Sequence, residues 1–276
     1  MWSTSHTGIL KNKSKYNLLN MKDYILSKVS FSADTAIILG SGMGAFADGL
    51  NNLTNIAYRD IPGYPLSTVK GHSGELTIGS IRNKSFIVAK GRFHYYEGYD
   101  METITLPVRL FNLLGVKKLI ITNAAGSLNL ILPPGKMMVL DSHMDCTFRN
   151  FVSIPKKYHS KKFHDPSYIK IAFDSAKKVG LDIGKGTYCW TIGPAYETPD
   201  EVSFFQSIGG NAVGMSTVPE IKQAAKLNMR ILAISTITNY AAGIINQPLS
   251  HEEVIHVSSQ VKDDFANLLT EIVTRI

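Results

Sequence analysis

Short apolar runs alternate with amphipathic helical patterns along most of this chain of 276 residues. Several of the apolar runs contain almost no polar residue, which is typical of strands that are covered on both faces. The predicted strands lie at 35–39, 76–81, 85–89, 119–122, 137–140, 187–192 and 231–237, and the predicted helices near 21–29, 101–114, 166–179, 199–208, 218–227 and 251–275. The alternation predicts an α/β fold, a single three-layer domain in which helices flank a central mixed β-sheet.

Nothing in the sequence divides the chain into several domains. Its length is at the upper end for one α/β domain, and it contains no internal repeat and no low-complexity linker. The first twenty residues are polar and lack the apolar centre of a signal peptide, whereas Met21 begins a stretch that resembles a native start. We therefore expect residues 1–20 to form a loose N-terminal extension and residues 21–276 to form the single domain.

The composition excludes several classes of protein. Hydrophobic residues make up 44% and charged residues 18% of the chain, which argues against disorder. Much of the net charge of +7 lies in segments 11–15 and 156–162, without a nucleic-acid-binding motif, and no apolar stretch reaches the roughly 18 residues of a membrane span. Cys146 and Cys189 show no metal-ligand spacing. We expect a cytoplasmic protein with reduced thiols, no metal, and no nucleic-acid or membrane partner.

The segment 91–98, Gly-Arg-Phe-His-Tyr-Tyr-Glu-Gly, follows a predicted strand and should open at its end, where open α/β sheets bind ligands. In an extended chain Arg92, His94 and Tyr96 project on one side. Arginine suits an oxyanion, histidine can donate or accept a proton near neutral pH, and tyrosine offers an apolar face. These residues indicate a site for a phosphate and a sugar. The alternative is a polar turn in which Arg92 pairs with Glu97.

A glycine-rich loop, Gly-Ser-Gly-Met-Gly-Ala at 40–45, follows the first predicted strand. Its glycines allow backbone N–H groups to approach an anion, and Ser41 adds a hydroxyl donor. The spacing also fits the relaxed dinucleotide fingerprint, with Asp60 as the acidic residue, so an NAD-dependent Rossmann oxidoreductase is an alternative. Turn-forming segments at 64–65 and 71–74 interrupt the compact β-α-β unit that this alternative requires. We favour an anion-binding loop.

Three further predicted strands end in small or polar residues. Small residues at 123–126 leave room for a ligand against the backbone, or for tight helix packing. Tyr196 and Glu197 place an aromatic face beside a carboxylate, as a flat heterocycle with N–H donors would need, while Thr198 could cap the next helix. Asn239 could donate to and accept from the edge of such a heterocycle, or serve as a turn asparagine.

Two helix starts complete the polar set. Thr217 and Glu220 form the pattern of a capping box, which would put Ser216 at a helix N-terminus suited to an anion. The same pattern recurs at 250–253 and places His251 in a first helical turn, where the helix dipole disfavours its protonation. A neutral His251 could hydrogen-bond a hydroxyl group, or it could simply be exposed at the helix start.

Taken together, these segments resemble the trimeric, low-molecular-mass purine nucleoside phosphorylase family, and its bacterial members more closely than its animal ones. The resemblance runs from about Met21 to the C-terminus, and it implies the phosphorylase/hydrolase-like α/β fold. The matching stretches lie at 39–44, 71–74, 91–98, 122–126, 193–198, 213–220, 238–239 and 251–254, and the stretches at 240–244 and 247–251 are the more bacterial ones.

The resemblance implies an enzyme that cleaves a purine nucleoside with inorganic phosphate, giving the free base and ribose 1-phosphate in purine salvage. It implies a homotrimer without a cofactor, since phosphate is a co-substrate. Asn239 and Glu197 suit the N1–H and O6 pattern of 6-oxopurines, which favours inosine, guanosine and their deoxy forms. The related methylthioadenosine phosphorylases carry aspartate at the Asn239 position and lack the His251 counterpart, so their activity is the alternative within the family.

Residue roles follow from the same resemblance, position by position. The catalytic residues would be Asn239, Glu197 and His94. Phosphate would be bound by Ser41, His72, Arg92, His94, the backbone N–H of Ala124, and Ser216. The ribose would be contacted by Tyr96, Met215, His251 and, from a neighbouring subunit, Phe163, and the base by Tyr196, Glu197, Val213, Thr238 and Asn239.

The chain departs from the family pattern in one region. After the strand predicted at 137–140 the family usually shows Asp-His-Ile-Asn and then a Gly-x-Asn-Pro-Leu-x-Gly loop, but residues 141–150 are Asp-Ser-His-Met-Asp-Cys-Thr-Phe-Arg-Asn. Ser127 also replaces the glycine that usually follows Ala-Ala-Gly. Phe163 is the best positional match for the intersubunit phenylalanine, although His164 follows it where the family has proline. The sequence therefore leaves open how the segment 141–163 affects activity and trimer packing.

Overall fold

The computed structural model describes residues 14–30, 32–69, 73–246 and 249–276, and within them the chain forms nine α-helices, two single-turn 3-10 helices and ten strands. The strands are β1 (Thr35–Leu39), β2 (Asn51–Ala57), β3 (Glu75–Ile81), β4 (Lys84–Lys90), β5 (Lys118–Ser127), β6 (Met137–Asp145), β7 (Lys157–Tyr158), β8 (Gly184–Trp190), β9 (Ala212–Gly214) and β10 (Arg230–Tyr240). The helices are α1 (Leu18–Lys28), α2 (Ala45–Asp48), α3 (Met101–Ile104), α4 (Leu106–Leu113), α5 (Pro166–Lys178), α6 (Pro199–Ser207), α7 (Val218–Lys226), α8 (His251–Gln260) and α9 (Lys262–Val273).

The strands form one mixed sheet that closes on itself at one end. Its centre is parallel, with β4, β1, β5 and β10 side by side. β10 pairs antiparallel with β6, β6 pairs parallel with β8, and β8 pairs parallel with β9. The last two residues of β5 then pair antiparallel with β9, so that β5, β10, β6, β8 and β9 form a closed ring. β3 and β2 extend the open end of the sheet as antiparallel strands.

Helices cover both faces of the sheet. On one face α1, α4 and α7 contribute buried residues such as Ile25, Phe111 and Ile221 to a core shared with the strands. On the other face α2, α5 and α9 contribute a second core, with Ala172 and Leu268 among its buried members. The chain is therefore a three-layer α/β domain with a central mixed sheet, as the alternating pattern predicts.

The sequence prediction misses short or exposed strands, and it joins two pairs of helices that are separate in the structure. Strands β7 and β9 have two and three residues, which is too short for a periodic pattern, and β2 is mostly exposed. The single helix predicted at 251–275 is two helices, because the backbone leaves the helical conformation at Val261. The helix predicted at 101–114 is likewise divided at Thr105.

Part of the expected N-terminal extension belongs to the folded domain. Helix α1 begins at Leu18, and the side chain of Asn17 caps it by accepting from the backbone N–H of Asn20. Ser14 hydrogen-bonds Glu102 near the α3–α4 region, so residues 14–20 are held in place and are not loose. The expectation for residues 1–13 lies outside the described residues. Among the helices that the structure describes, none has both the length and the apolar character to cross a membrane.

Candidate active site

Polar residues from six segments of the chain line one cavity beside the point where the sheet ring closes. The cavity is formed by the loop after β1, the segment after β4, the ends of β5 and β10, strand β9 with the residues that follow it, and the segment between β8 and α6. It brings together twelve of the predicted site residues: Ser41, Arg92, His94, Tyr96, Ala124, Tyr196, Glu197, Val213, Met215, Ser216, Thr238 and Asn239.

Arg92 lines the cavity and is only 1% exposed. Its Nη2 donates to the backbone carbonyl of Thr122 (2.6 Å), and its Nη1 donates to Ser216 Oγ (2.9 Å). Its Nε lies 3.3 Å from a carboxylate oxygen of Glu220, which is equally buried. The charge partner of Arg92 on α7 is therefore Glu220, and the guanidinium plane is fixed before any ligand arrives.

A strained turn presents the hydroxyl groups that face Arg92. Thr217 has φ 76° and ψ −47°, and the N–H of Val218 donates to the carbonyl of Ser216 (2.8 Å), which defines a γ-turn that non-glycine residues rarely adopt. The predicted capping role of Thr217 is wrong, because its hydroxyl makes no cap hydrogen bond. The hydroxyl of Thr217 accepts instead from Nδ2 of Asn123 (2.9 Å), and Oδ1 of the same asparagine accepts from the hydroxyl of Ser235 (2.8 Å).

The glycine loop packs too closely for larger residues. A Cβ at Gly40 would lie 2.7 Å from Asn123 Cα, and one at Gly42 (φ 77°) would lie 2.6 Å from the Cβ of Ser258. The loop leads into α2, which has four residues, and then into β2, which pairs antiparallel with β3. A dinucleotide site requires a long helix and a parallel strand after its glycines. The Rossmann alternative is therefore wrong, and Ser41 of the loop lines the cavity.

His94 is oriented by Glu97. Their side chains are 3.0 Å apart, and the second oxygen of Glu97 accepts from the N–H (2.9 Å) and the hydroxyl (2.7 Å) of Thr68. Partial burial acts to raise the pKa of Glu97, but hydrogen bonds from His94 and Thr68 outweigh it and hold the pKa at about 2. Since Glu97 can then only accept, Nδ1 of His94 carries a hydrogen. Burial lowers the pKa of His94, which favours the neutral ring.

Glu197 also lines the cavity and is 9% exposed. Its Oε1 accepts from the hydroxyl of Thr191 at 2.7 Å. Burial raises the pKa of Glu197, and the hydrogen bond from Thr191 partly offsets this effect. Tyr196 next to it is 38% exposed, so an aromatic face is available at the mouth of the cavity. The following Thr198 caps α6, as its sequence pattern predicts.

Asn239 reaches the cavity because strand β10 is irregular there. The register of β10 against β5 shifts between Ile237 and Asn239, and such a bulge re-aims side chains. The amide of Asn239 is then fixed by its chain neighbours. Its Oδ1 accepts from the hydroxyl of Thr238 (3.0 Å), and its Nδ2 donates to the carbonyl of Tyr240 (2.9 Å).

Three predicted site residues are not seen in this cavity. His72 lies outside the described residues, and His251 begins α8 but its side chain is not described. Phe163 packs edge-on against the rings of His143 and Tyr158, and in this single chain it does not line the cavity. Its role in a neighbouring subunit stays a prediction.

Sequence reasoning missed the residues that support the site. The sequence pattern predicts Glu220 as a capping residue, and its role as the charge partner of Arg92 follows only from its burial beside that side chain in the fold. Thr191 and Asn123 gave no signal beyond their positions at strand ends. Val254 of α8 also lines the cavity, and its place in the apolar stripe of that helix gave no hint of this.

Comparisons with known proteins agree with this geometry. A sequence model described as the phosphorylase superfamily matches residues 34–274. Purine nucleoside phosphorylase 1 of Bacillus subtilis (strain 168) is 42% identical over 269 residues, which cover 92% of this chain and 99% of the relative. Purine nucleoside phosphorylase 1 of Geobacillus stearothermophilus is 43% identical over 257 residues, which cover 91% and 94%.

The fold matches solved structures of the same kind. The crystal structure of Schistosoma mansoni purine nucleoside phosphorylase in complex with inosine is similar with a TM-score of 0.85 and 31% identity, covering 94% of this chain and 96% of that chain. The family model, the bacterial relatives and the solved structure all cover most of the chain. This chain therefore belongs to the phosphorylase superfamily and, within it, to the purine nucleoside phosphorylases.

Proposed function

We propose that this enzyme phosphorolyses 6-oxopurine nucleosides, namely inosine, guanosine and their deoxy forms, and so releases the free base and (deoxy)ribose 1-phosphate for purine salvage. One observation carries the proposal. A buried carboxylate, Glu197, and an amide, Asn239, line the same cavity as Arg92 and Ser216. We assign the first pair to the base and the second pair to phosphate, and we call the two parts of the cavity the base end and the anion end. The first pair suits the edge of a 6-oxopurine, and the second suits an oxyanion.

The anion end is suited to phosphate. Arg92 Nη1 and Ser216 Oγ are 2.9 Å apart, so both can reach one tetrahedral anion. Ser41 on the glycine loop and Ala124 line the same cavity, and we assign the hydroxyl of Ser41 and the backbone N–H of Ala124 as further donors. We assign His72 to this group as well, although it lies outside the described residues. Phosphate is then a co-substrate, and no cofactor is needed.

His94 can serve phosphate in either protonation state. With a hydrogen on Nδ1 directed to Glu97, its Nε2 can accept from a protonated phosphate oxygen or, when the ring is charged, donate to an ionised one. Tyr96 stacks on the His94 ring with the ring centres 4.8 Å apart. We assign Tyr96 and Met215, which line the cavity, to the ribose, together with His251 at the start of α8.

The chemistry follows from the charges that develop during cleavage. Breaking the glycosidic bond leaves positive charge on the sugar and sends negative charge into the purine. Bound phosphate supplies the nucleophile and stabilises the cationic sugar through space. The amide of Asn239 can donate to N7 of the departing base, and this interaction strengthens as the charge develops. Asn239 therefore acts more strongly in the transition state than in the ground state.

The base end favours 6-oxopurines. A 6-oxopurine carries a hydrogen on N1, and Glu197 can accept it, whereas Tyr196 and Val213 would contact the faces of the ring. Thr238 with Asn239 would contact the N7 and O6 edge. Solved structures of the Schistosoma mansoni enzyme contain inosine in one case and adenosine in another, so the choice of base in this chain depends on its own residues.

We also propose a homotrimer, in which Phe163 contributes to a neighbouring ribose site. Its support is the apolar segment after β6, where Phe151 is 98% and Ile154 is 68% exposed. Exposed apolar side chains grouped in this way are typical of protein interfaces. Measurement of the mass in solution tests the assembly, and a monomer at the concentration of the activity assay would contradict it.

Incubation with inosine, with and without phosphate, tests the proposed reaction. We expect hypoxanthine and ribose 1-phosphate to form only when phosphate is present, and adenosine to react much more slowly. Release of hypoxanthine without phosphate would indicate a hydrolase instead. Binding of hypoxanthine without turnover would indicate a non-catalytic binding protein, and equal rates with inosine and adenosine would refute the assigned base preference.

A further inference from the structure

Thr191 is fixed in a position from which its side chain contacts Glu197. It follows the last residue of β8, and its backbone N–H donates to the carbonyl of Gly214, the last residue of β9 (2.9 Å). Its hydroxyl lies 2.7 Å from Glu197 Oε1 but 3.5 Å from the oxygen of Gly214. Because a hydroxyl has one hydrogen to donate, the shorter contact with the carboxylate takes it. Both side chains are about nine-tenths buried.

We propose that Thr191 is a positioning residue that holds Glu197 as an ionised acceptor for a purine N1–H, and that it thereby sets the preference of the enzyme for 6-oxopurines over 6-aminopurines. This inference rests on the proposed function and deepens it. Thr191 lies outside the set of described residues that line the cavity, so it acts through Glu197 and not on the base itself.

The two classes of purine require opposite forms of Glu197. The N1 of a 6-oxopurine carries a hydrogen, so its partner must accept, and an ionised carboxylate only accepts. The N1 of a 6-aminopurine has no hydrogen, so its partner must donate, which a carboxyl group can do only when it is protonated. A group that stabilises the ionised form of Glu197 therefore selects for the first class.

The hydrogen bond from Thr191 has this effect. A donor directed at a carboxylate stabilises the ionised form, and it does so more strongly in a buried site than in water. The bond also engages Oε1, which leaves Oε2 to meet the base. Burial alone acts in the opposite direction, because it raises the pKa of Glu197. The two effects compete, and Thr191 is the side chain that favours the ionised form.

The other titratable groups around Glu197 do not replace Thr191. Glu201 on α6 raises the pKa of Glu197 through its negative charge. Tyr188 and Tyr196 have pKa values raised by burial, and Cys189 has its pKa raised first by a hydrogen bond with Cys146, so all three are neutral near pH 7. The hydrogen bond from Thr191 is therefore the interaction to remove.

The decisive variant is Thr191→Val, which keeps the shape of the side chain and removes the donor. The measurement is kcat/KM for inosine and for adenosine as a function of pH. We expect the apparent pKa of the acidic limb with inosine to rise by about one, and the adenosine-to-inosine ratio near neutral pH to rise about tenfold, which is the factor that corresponds to one pKa unit. A merely structural role would lower both activities without moving the limb.

Matched variants isolate the hydrogen bond. Thr187→Val makes the same change in β8, four residues before Thr191. The hydroxyl of the buried Thr187 bonds Ser142 (2.8 Å), and neither residue lines the cavity, so this variant should leave the pH profile unchanged. Thr191→Ser retains the donor and should resemble the wild type. In a Glu197→Gln background, which cannot ionise, Thr191→Val should not shift the acidic limb at all. If Thr191→Val does not fold, Thr191→Ala is compared with Thr191→Ser.

The outcomes separate this inference from the proposed function. A wild-type enzyme that does not prefer inosine to adenosine, or that needs no phosphate, refutes the proposed function. If the wild type prefers inosine, but Thr191→Val changes neither the apparent pKa of the acidic limb nor the adenosine-to-inosine ratio, only the role of Thr191 is overturned. A shift that persists in the Glu197→Gln background also overturns it, because the shift would then belong to another group such as His94.

Discussion

The two ends of the cavity are built in different ways. At the anion end, Arg92 contacts the carbonyls of Ile38 in β1 and Thr122 in β5, the hydroxyl of Ser216, and the carboxylate of Glu220 in α7. Four separate parts of the fold therefore meet on one side chain. At the base end, the side-chain hydrogen bonds described for Glu197 and Asn239 come from near in the chain, since Thr191 precedes Glu197 by six residues and Asn239 bonds its direct neighbours.

At the anion end, the same contacts therefore serve both ligand binding and folding. At the base end, ligand binding can change without affecting the stability of the fold. Buried groups that join several elements cannot be replaced without cost to the fold, because each loses partners that stay buried. Groups held by one local hydrogen bond can change with little effect on the rest of the domain. We therefore expect the anion end to resist substitution and the base end to be the place where substrate preference can change.

Substitution of Arg92 tests the coupled end and should have the largest effect. Arg92→Ala leaves Glu220 as an unpaired buried charge, and removing one partner of such a pair typically costs about 3–5 kcal/mol of stability. Phosphate-dependent cleavage of inosine should be lost as well. Urea unfolding and the phosphate KM of any folded fraction measure the two effects. Arg230→Ala is the matched control, since Arg230 pairs with Asp165 at 2.7 Å while half exposed, and we expect a loss below about 1 kcal/mol there.

A double variant tests whether the unpaired charge of Glu220 causes the loss of stability in Arg92→Ala. Adding Glu220→Ala to Arg92→Ala removes the unpaired carboxylate and should restore part of the lost stability, but none of the phosphate dependence. Strictly additive losses of stability would mean that Arg92 and Glu220 do not act as a pair.

Asn239→Asp tests the base end, where the rate of cleavage and the choice of base should change more than the free energy of unfolding. The variant loses the donor that faces the departing base, and loss of such a donor typically lowers the rate by about 10²–10³. Its acceptor suits the amino group of a 6-aminopurine, so the adenosine-to-inosine ratio should rise. The new oxygen would also lie near the carbonyl of Tyr240, which Nδ2 now contacts at 2.9 Å, and this raises the pKa of the new acid.

Steady-state rates with both nucleosides measure this effect. Asn55→Asp is the control, because Asn55 lies on β2 and its Oδ1 accepts from Thr77, a bond that aspartate retains. An unchanged ratio of adenosine to inosine cleavage in Asn239→Asp would show that Asn239 does not select the base.

The sequence predicts this cavity where strand ends carry recognisable polar residues. Apolar runs locate β1, β4, β5, β8 and β10, and the shared carboxyl edge of the parallel strands β4 and β10 accounts for Arg92 and Asn239 in one cavity. Glu197 follows β8, which does not run parallel to these strands, and it reaches the cavity because the sheet closes through β9. The resemblance to a known family then assigned roles that no single segment could give. Both steps depend on patterns that are local in sequence.

The parts that were missed depend on contacts between distant segments. Closure of the sheet rests on two residue pairs between β5 and the three-residue strand β9, too few to leave a pattern. Glu220 looks like a capping residue until the fold buries it beside Arg92, and the γ-turn at Thr217 replaces the cap that its sequence suggests. At each of these places, tertiary contacts determine the local structure, and the preference of the local sequence does not.

The variant Glu197→Gln tests whether substrate binding at the base end can be weakened without a loss of stability. The variant keeps the shape and the bond from Thr191 but loses a charged acceptor, and such hydrogen bonds contribute about 1.5–3 kcal/mol, so inosine kcat/KM should fall by about 10–100-fold. Stability near neutral pH should be unchanged or higher. Because burial raises the pKa of Glu197 in the folded protein, ionisation costs stability once the pH exceeds the unfolded value of about 4.3.

Urea unfolding at pH 4 and at pH 8 checks whether ionisation of Glu197 lowers the stability of the folded protein. Below the unfolded pKa both proteins carry a neutral group and should have similar stability. As the pH rises through the folded pKa, the wild type should lose stability relative to Glu197→Gln. A wild type that gains stability relative to the variant over this range would contradict the raised pKa.

Gly126→Ala should have the smallest effect, because it disturbs the base end without removing a polar group. A Cβ at Gly126 would lie 3.2 Å from Asn239 Nδ2 and 3.6 Å from Val213, so the amide has to move by a few tenths of an ångström. Since misplacement by about 1 Å can cost about 10²-fold in rate, we expect a loss of less than about tenfold in inosine kcat/KM. Gly49→Ala, whose Cβ would come no closer than 3.5 Å to Phe46, should leave the rate unchanged. A loss in Gly126→Ala as large as that of Asn239→Asp would mean that the base end is as tightly coupled to the fold as the anion end.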